Sequence, residues 1–262
     1  MKQYKRFNVS ILSLLAVLLT ACSSDDSKRT LDFVMTPGSY EVQQNLSIEL
    51  PIVSGNGDYT LTVGNKNIIE AVFDNTNSAS FGSFKVTGLQ KGETTLAVKD
   101  NIAMQTYALN IKVTDRYLCY HITESNHSAL KEGRRVYLIK NDAADVYFYG
   151  AMINDSKLPL LQVGKYEFAV ENNVPYLILF YPDSNGEFTE AAIAPTAHKF
   201  SLKGTDQNIL SGLESFFNID WKVLERGTRS TERPYMKMKD EGTGQTVSGY
   251  LDFEAIPVGV LK

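Results

Sequence analysis

Phe84-Lys85-Val86-Thr87-Gly88-Leu89-Gln90-Lys91-Gly92-Glu93-Thr94-Thr95-Leu96-Ala97-Val98-Lys99-Asp100 is the stretch whose reading decides the fold. Apolar and polar side chains alternate on either side of its centre, so each half reads as a strand with one buried face. Gln90-Lys91-Gly92 supplies the turn between them, since glycine accepts positive φ without steric cost. The same pattern continues outward. Leu46-Ser47-Ile48-Glu49-Leu50 and Tyr59-Thr60-Leu61-Thr62-Val63 alternate with period two, and the turn residues Ser54-Gly55-Asn56-Gly57-Asp58 stand between them. Residues 68–73 and 107–113 read as further strands. Short β-rich runs punctuated by Gly, Asn and Asp are the pattern of a sandwich or barrel.

Within this half, Ser54-Gly55-Asn56-Gly57-Asp58-Tyr59, the run Val86-Thr87-Gly88-Leu89-Gln90-Lys91-Gly92-Glu93-Thr94-Thr95-Leu96 and the closing Ile111-Lys112-Val113 resemble the bacterial immunoglobulin-like group 2 domains. The resemblance covers roughly a third of the chain. It implies a seven-stranded sandwich over residues 31–114, used as a spacer or adhesive module. It implies no catalytic residue.

Residues 115–262 form a second β-rich unit that resembles no family by motif. Strands are expected at 117–122, 135–140, 144–150, 164–170, 174–181, 187–193, 197–202, 220–225, 235–239 and 246–255. Asn185-Gly186 is a hairpin turn signal. One helix interrupts the strands: Ile209, Leu210, Leu213, Phe216 and Phe217 fall on one face of a 3.6-residue period, and Thr205 or Asp206 can cap it. A late helix followed by strands is similar to calycin-like barrels. The lipocalin G-x-W motif is nonetheless absent, for Trp221 is the single tryptophan and Ile219 stands at the glycine position. The expected fold class is therefore all-β: an immunoglobulin-like sandwich, then a sandwich or barrel carrying one amphipathic helix.

The N-terminus carries a different kind of information. Lys2, Lys5 and Arg6 precede an apolar run from Ile11 to Leu19. That run is shorter than the roughly 20 residues a membrane span needs, and it has the layout of a secretory signal. Leu19-Thr20-Ala21-Cys22 resembles the bacterial lipobox, which implies diacylglycerol on the Cys22 thiol and cleavage just before it. Residues 1–21 then form a lipoprotein signal peptide and 22–30 a lipidated flexible tether. Ser23-Ser24-Asp25-Asp26-Ser27 is similar to the acidic export tag of Bacteroidetes surface lipoproteins. The implied location is the outer membrane, on the cell surface.

Composition narrows the chemistry. The signal takes three of the 26 Lys and Arg and no acidic residue, which leaves 23 against 30 Asp and Glu, a formal charge of −7. An acidic chain without basic clusters is a poor phosphate binder, which argues against nucleic acid as a partner. Arg134-Arg135, the one adjacent basic pair beyond the tether, reads as a solvated strand-edge device. Cys119 is the only cysteine besides Cys22. It reads as a buried thiol, since Cys119 and His121 lack the third group that a nucleophile and base require. His121, His127 and His198 stand in no metal-ligand spacing, so no metal or other cofactor is expected. Glu167, Glu171, Asp183, Glu187 and Glu190 could pair as a glycosidase requires, but no catalytic motif accompanies them.

The aromatic strands offer a binding feature instead. Alternation puts Tyr147 and Tyr149 on the face opposite Val146 and Phe148. If Phe148 faces the core, the two tyrosines form an exposed platform for sugar rings or a protein partner. Residues 227–234 read as an exposed loop. The expected function is a non-enzymatic surface lipoprotein. Its sandwich would hold a binding unit for glycan or an outer-membrane protein partner away from the membrane. The alternatives are an adhesin or accessory subunit of an outer-membrane complex, and a hydrolase using an unrecognised carboxylate pair.

Cys22→Ala should abolish labelling by a palmitate analogue and release the protein from the membrane fraction. Label retained on the variant would refute the anchor.

Overall fold

Eighteen strands and one helix lie within residues 30–76, 81–151, 158–189, 193–221, 235–252 and 254–261, the parts described by the computed structural model. Residues 1–29, which hold the expected signal peptide, Cys22 and most of the expected tether, fall outside these residues, as do Glu190 and the loop expected at 227–234.

The first eight strands are β1 (Val34–Met35), β2 (Ser39–Gln43), β3 (Ser47–Ser54), β4 (Tyr59–Val63), β5 (Ile69–Asp74), β6 (Ser83–Gly88), β7 (Gly92–Asp100) and β8 (Thr106–Thr114). They build two four-stranded sheets, β1-β3-β6-β5 and β2-β8-β7-β4. Leu50, Ile52, Phe84 and Val86 of the first sheet share one buried cluster with Leu96, Val98, Leu109, Ile111 and Val113 of the second. These are the alternate positions that periodicity marked as inward. Strands β1 and β2 escape the sequence reading because the first is two residues long and the second carries polar side chains at most positions. β2 joins through the backbone, pairing in parallel with β8.

One tip of this sandwich is organised by a buried carboxylate. Asp100 accepts backbone N–H groups from Ile102 and Ala103 at 2.9 Å each, and from Asn56 at 3.1 Å, with the Asn56 amide at 2.9 Å. Burial alone would raise its pKa; the four hydrogen bonds outweigh burial and hold the carboxyl below its usual range.

Asp115 alone separates β8 from the next strand. The second set comprises β9 (Arg116–Ser125), β10 (Arg135–Lys140), β11 (Asp145–Tyr149), β12 (Leu160–Glu171), β13 (Val174–Tyr181), β14 (Asp183–Ser184), β15 (Glu187–Phe188), β16 (Thr196–Ser201), α1 (Gln207–Phe217), β17 (Met236–Asp240) and β18 (Thr246–Asp252). Leaving aside the small β14–β15 hairpin, eight of these strands close an antiparallel barrel in the order β9-β10-β11-β12-β13-β16-β17-β18 and back to β9. The unit left open as sandwich or barrel is thus a barrel.

Closure bends strands sharply at two glycines. β12 pairs with β11 up to Lys165 and with β13 from Lys165 onward. At the bend a Cβ on Gly164 would lie 2.2 Å from the Phe180 carbonyl oxygen. A Cβ on Gly249, beside a register shift in β18, would lie 2.0 Å from the His121 carbonyl oxygen. Only glycine allows the backbones to approach this closely.

Side chains fill the barrel interior, among them Leu118, Leu138, Val146, Phe148, Leu179 and Phe200. Loop 126–134 covers one mouth and buries Ala129 and Leu130. His127 fixes that loop. Its Nδ1 accepts the Ala129 and Leu130 N–H groups, both at 3.1 Å, and its Nε2 lies 3.4 Å from Asp240 Oδ2. Helix α1 packs Leu210 and Leu213 against the opposite mouth. Asp206 caps it by accepting the Asn208 N–H at 2.7 Å, and Thr205 exchanges two hydrogen bonds with the Lys237 backbone.

Three local expectations change. Of the strand expected at 187–193, Glu187–Phe188 pairs with Asp183–Ser184 across Asn185 and Gly186, both at positive φ; Thr189 and Ile193 lie outside any strand, and residues 190–192 fall outside the described residues. Of the strand expected at 220–225, Asp220 and Trp221 lie outside any strand, and residues 222–225 fall outside the described residues. Arg134 and Arg135 are not a solvated edge: the Arg134 guanidinium donates to the Ala129 carbonyl, and Arg135 is buried and paired with Glu254.

His127 makes stability depend on pH. Burial first of all lowers its pKa, opposed by Asp240, and protonating Nδ1 would break two backbone hydrogen bonds. Its value in the folded protein therefore lies below that of the unfolded chain, so its contribution is complete above pH 6.5 and falls away as pH drops below it. The slope should approach about 1.4 kcal/mol per pH unit. Urea unfolding between pH 7.5 and 5 should show this slope in the wild type and a flatter one in His127→Asn. Equal slopes would refute the assignment.

Candidate functional site

Alternation on β11 is as expected: Val146 and Phe148 join the barrel interior. The opposite face, however, is not open. Tyr149 is 1% exposed and belongs to a separate buried cluster with Tyr117, Cys119, Tyr137, Ile139, Ile256 and Leu261, against which Tyr147 also packs. Burial pushes the Tyr149 hydroxyl up to about 12. The cover is the C-terminal segment after β18. Its Ile256 N–H donates to the Tyr117 hydroxyl at 3.1 Å, and Tyr137 donates to the Ala255 carbonyl at 3.3 Å. Further along, the Leu261 carbonyl accepts from Lys112 at 2.7 Å, and the Gly259 N–H donates to Glu41 at 2.9 Å. The predicted platform of Tyr147 and Tyr149 is therefore the floor under a strap that ties the barrel to the sandwich.

An open concavity lies at the α1 mouth of the barrel. A cavity of about 520 Å³ is bounded by Lys140, Asn141, Asp142 and Ala144 on one side, by Tyr166, Glu167 and Phe168 of β12, and by Phe217 and Ile219 at the end of α1. Its floor is aromatic. Tyr166 and Phe217 meet edge to face at 5.5 Å, and Phe168 lies 5.5 Å from Tyr166 and 5.2 Å from Phe217. The Tyr166 hydroxyl donates to the Ile139 carbonyl at 2.8 Å, which fixes the ring.

The walls are equally constrained. Asn141 accepts the Asp145 N–H at 3.1 Å and donates from its amide to the Asp145 carboxylate at 2.8 Å. Ala144 sits at φ 46°, a left-handed conformation held by its N–H to the Asn141 carbonyl and its own carbonyl to the Tyr166 N–H. Asp145 pairs with Lys165 at 2.5 Å; this bond and that from Asn141 overcome the effect of burial and keep its carboxyl below the usual range. At the helix end Asn218 takes the left-handed C-cap position and donates to the Glu214 carbonyl, turning the chain so that Ile219 follows Phe217 onto the cavity. Asp142 and Glu167 stand exposed at the rim. The arrangement is an apolar ring-lined floor with two carboxylates, an amide and an ammonium around it, the composition of a small-molecule binding site.

The sequence reading placed Tyr166 and Phe168 on a strand and Phe217 on the core face of the helix, without joining them. Period two does put Tyr166 and Phe168 together, but it cannot show that they stand at an open end.

Three of the other carboxylates singled out from the sequence face a basic partner. Glu171 pairs with Lys199 at 2.6 Å, Glu187 with Lys131 at 2.9 Å, and Asp183 lies 3.4 Å from His198. Cys119, Asp252 and Glu254 bring possible ligand atoms within 4.8 Å of one another, a grouping that sequence spacing did not reveal. Arg135 already supplies positive charge to Glu254, and burial, as the largest cause, pushes the Cys119 thiol up and keeps it protonated.

No family model matches the chain, and no curated protein does. Among solved structures it is similar to domains 5-6 of the S-layer protein SbsC, at 12% identity over 83% of this chain and 97% of that one, with a TM-score of 0.26. Domains 4-9 of the same surface layer protein give 13% identity over 84% of this chain and 30% of that one, with a TM-score of 0.24. Domains 1-6 give 11% identity over 64% and 23%, with a TM-score of 0.25. Scores this low carry no inference about fold or function.

Tyr149→Ala should cost about 3 kcal/mol or more in unfolding free energy, as for other large buried aromatics. Tyr147→Ala, half-buried at the side of the cluster, should cost clearly less. Denaturant unfolding of both variants tests the covered face; equal, small effects would show that the strap does not bury Tyr149.

Proposed function

We propose that the chain is a non-enzymatic surface lipoprotein, anchored to the outer membrane through Cys22, whose barrel binds glycan at the α1 mouth. The cavity with its aromatic floor and polar rim is the observation that carries this reading. Sugar rings present apolar C–H faces and a periphery of hydroxyls. Phe168 and Phe217 offer apolar surface to the first, and Asp142, Glu167 and Lys140 offer acceptors and a donor to the second. The lipobox and signal peptide support the anchor. The closely joined sandwich, one residue from the barrel and strapped to it, suits a spacer that holds the barrel off the bilayer. Among the described residues no helix is long and apolar enough to cross a membrane.

The test is a screen of the mature chain against neutral and acidic polysaccharides, followed by calorimetry on any hit. Asp142→Ala combined with Glu167→Ala should weaken binding at least tenfold, since hydrogen bonds to charged groups contribute about 1.5–3 kcal/mol. Stability should change little because both positions are exposed. Absence of any glycan hit, or unchanged affinity in the double variant, would overturn the reading.

A further inference from the structure

The sandwich tip organised by Asp100 carries large apolar side chains where turns ordinarily carry polar ones. Met104 is 66% exposed and Ile102 50%, both in the turn between β7 and β8. Leu31 and Phe81 are 38% and 43% exposed. Hydrogen bonds link Leu31 to Ile102, and Met104 follows in the same turn. Leu31 donates its N–H to the Asn56 side chain at 2.9 Å and accepts from the Asn56 amide at 2.8 Å. The same amide donates to Asp100, whose other oxygen holds the Ile102 N–H. Phe81 lies at the same end of the sandwich, just before β6, where its neighbour β3 runs on into the turn that carries Asn56. Met104 stands at φ 56°, a left-handed conformation that favours Gly or Asn, so the turn holds an exposed methionine against its backbone preference.

The position of this tip along the chain says what it faces. Residue 30, where the tether ends, lies beside Leu31 at the tip itself. Eight Cα-to-Cα steps lead from Cys22 to Thr30, a reach of at most about 29 Å when fully extended. An acyl chain on Cys22 would therefore hold this end of the sandwich, and not the barrel, at the bilayer. We propose that the tip formed by Leu31, Phe81, Ile102 and Met104 inserts into the lipid interface and stands the sandwich on the membrane. The proposal rests on the anchoring reading for its geometry. Exposed Asp32 and Asp58 flank the tip, so a zwitterionic surface suits it better than an anionic one.

The decisive experiment uses the mature polypeptide, residues 23–262, without its acyl chains, in flotation with phosphatidylcholine–phosphatidylethanolamine vesicles. The wild type should partition measurably. Ile102→Ser combined with Met104→Ser should reduce partitioning at least about tenfold through lost apolar contact. Enrichment of the vesicles in anionic lipid should weaken the wild type. A second measurement covers the lipidated protein: Met104→Cys carrying an environment-sensitive dye should be quenched by a quencher placed in the acyl region. Partitioning equal in wild type and double variant, or a dye left in water on the lipidated protein, would overturn the proposal. Because the flotation assay needs no acylation, its outcome is independent of the Cys22 labelling result.

Discussion

The return of β18 to β9 is the constraint from which the rest of the second unit follows. The register from Val247 opposite Ser125 to Asp252 opposite Cys119 leaves no open edge, and it demands close backbone approaches at Gly249 and, across the barrel, Gly164. It also determines where the chain leaves the barrel. Because β18 ends beside Cys119, the residues that follow emerge over the outer face of β9, β10 and β11. That face presents Tyr117, Tyr137 and Tyr149 as an apolar surface. The strap covers it, satisfies the Tyr117 and Tyr137 hydroxyls with its own backbone, and then reaches Lys112 and Glu41 of the sandwich.

Closure also leaves two ends to be sealed, and the protein seals them differently. One end receives a polar device, with His127 bonded to two backbone N–H groups of its own loop and facing Asp240. Burial of so polar a group is tolerable because every lone pair and N–H in the contact has a use. The other end receives an apolar one, the buried face of α1. A helix cannot match the circular outline of a barrel mouth, and the space left between its end, the 141–144 loop and β12 is the cavity. Rigid walls around it come from the doubly bonded Asn141 and the left-handed Ala144.

Much of this was legible one residue at a time. Period two identified the inward faces of β3, β6, β7, β8 and β11, because a strand buried on one side must alternate. The 3.6-residue period and Asp206 located α1. Asn185-Gly186 announced its hairpin. The site was less legible. Tyr147 and Tyr149 do share the face opposite Phe148, but strand alternation says only which side of the sheet a residue occupies, never what lies on that side. Arg135 misled for the same reason: its partner Glu254 lies 119 residues away.

The sequence by itself determined the local geometry: which stretches are strands, which face of each is apolar, and where the chain turns. These are properties of neighbouring residues, governed by backbone sterics and side-chain polarity over a few positions. Only the tertiary structure decided that the second sheet closes on itself, that its outer tyrosines lie under the strap, and that Tyr166, Phe168 and Phe217 meet at an open mouth. Those outcomes depend on contacts between residues far apart in the chain, whose positions are determined by the closing of the barrel and not by any pattern within a single strand.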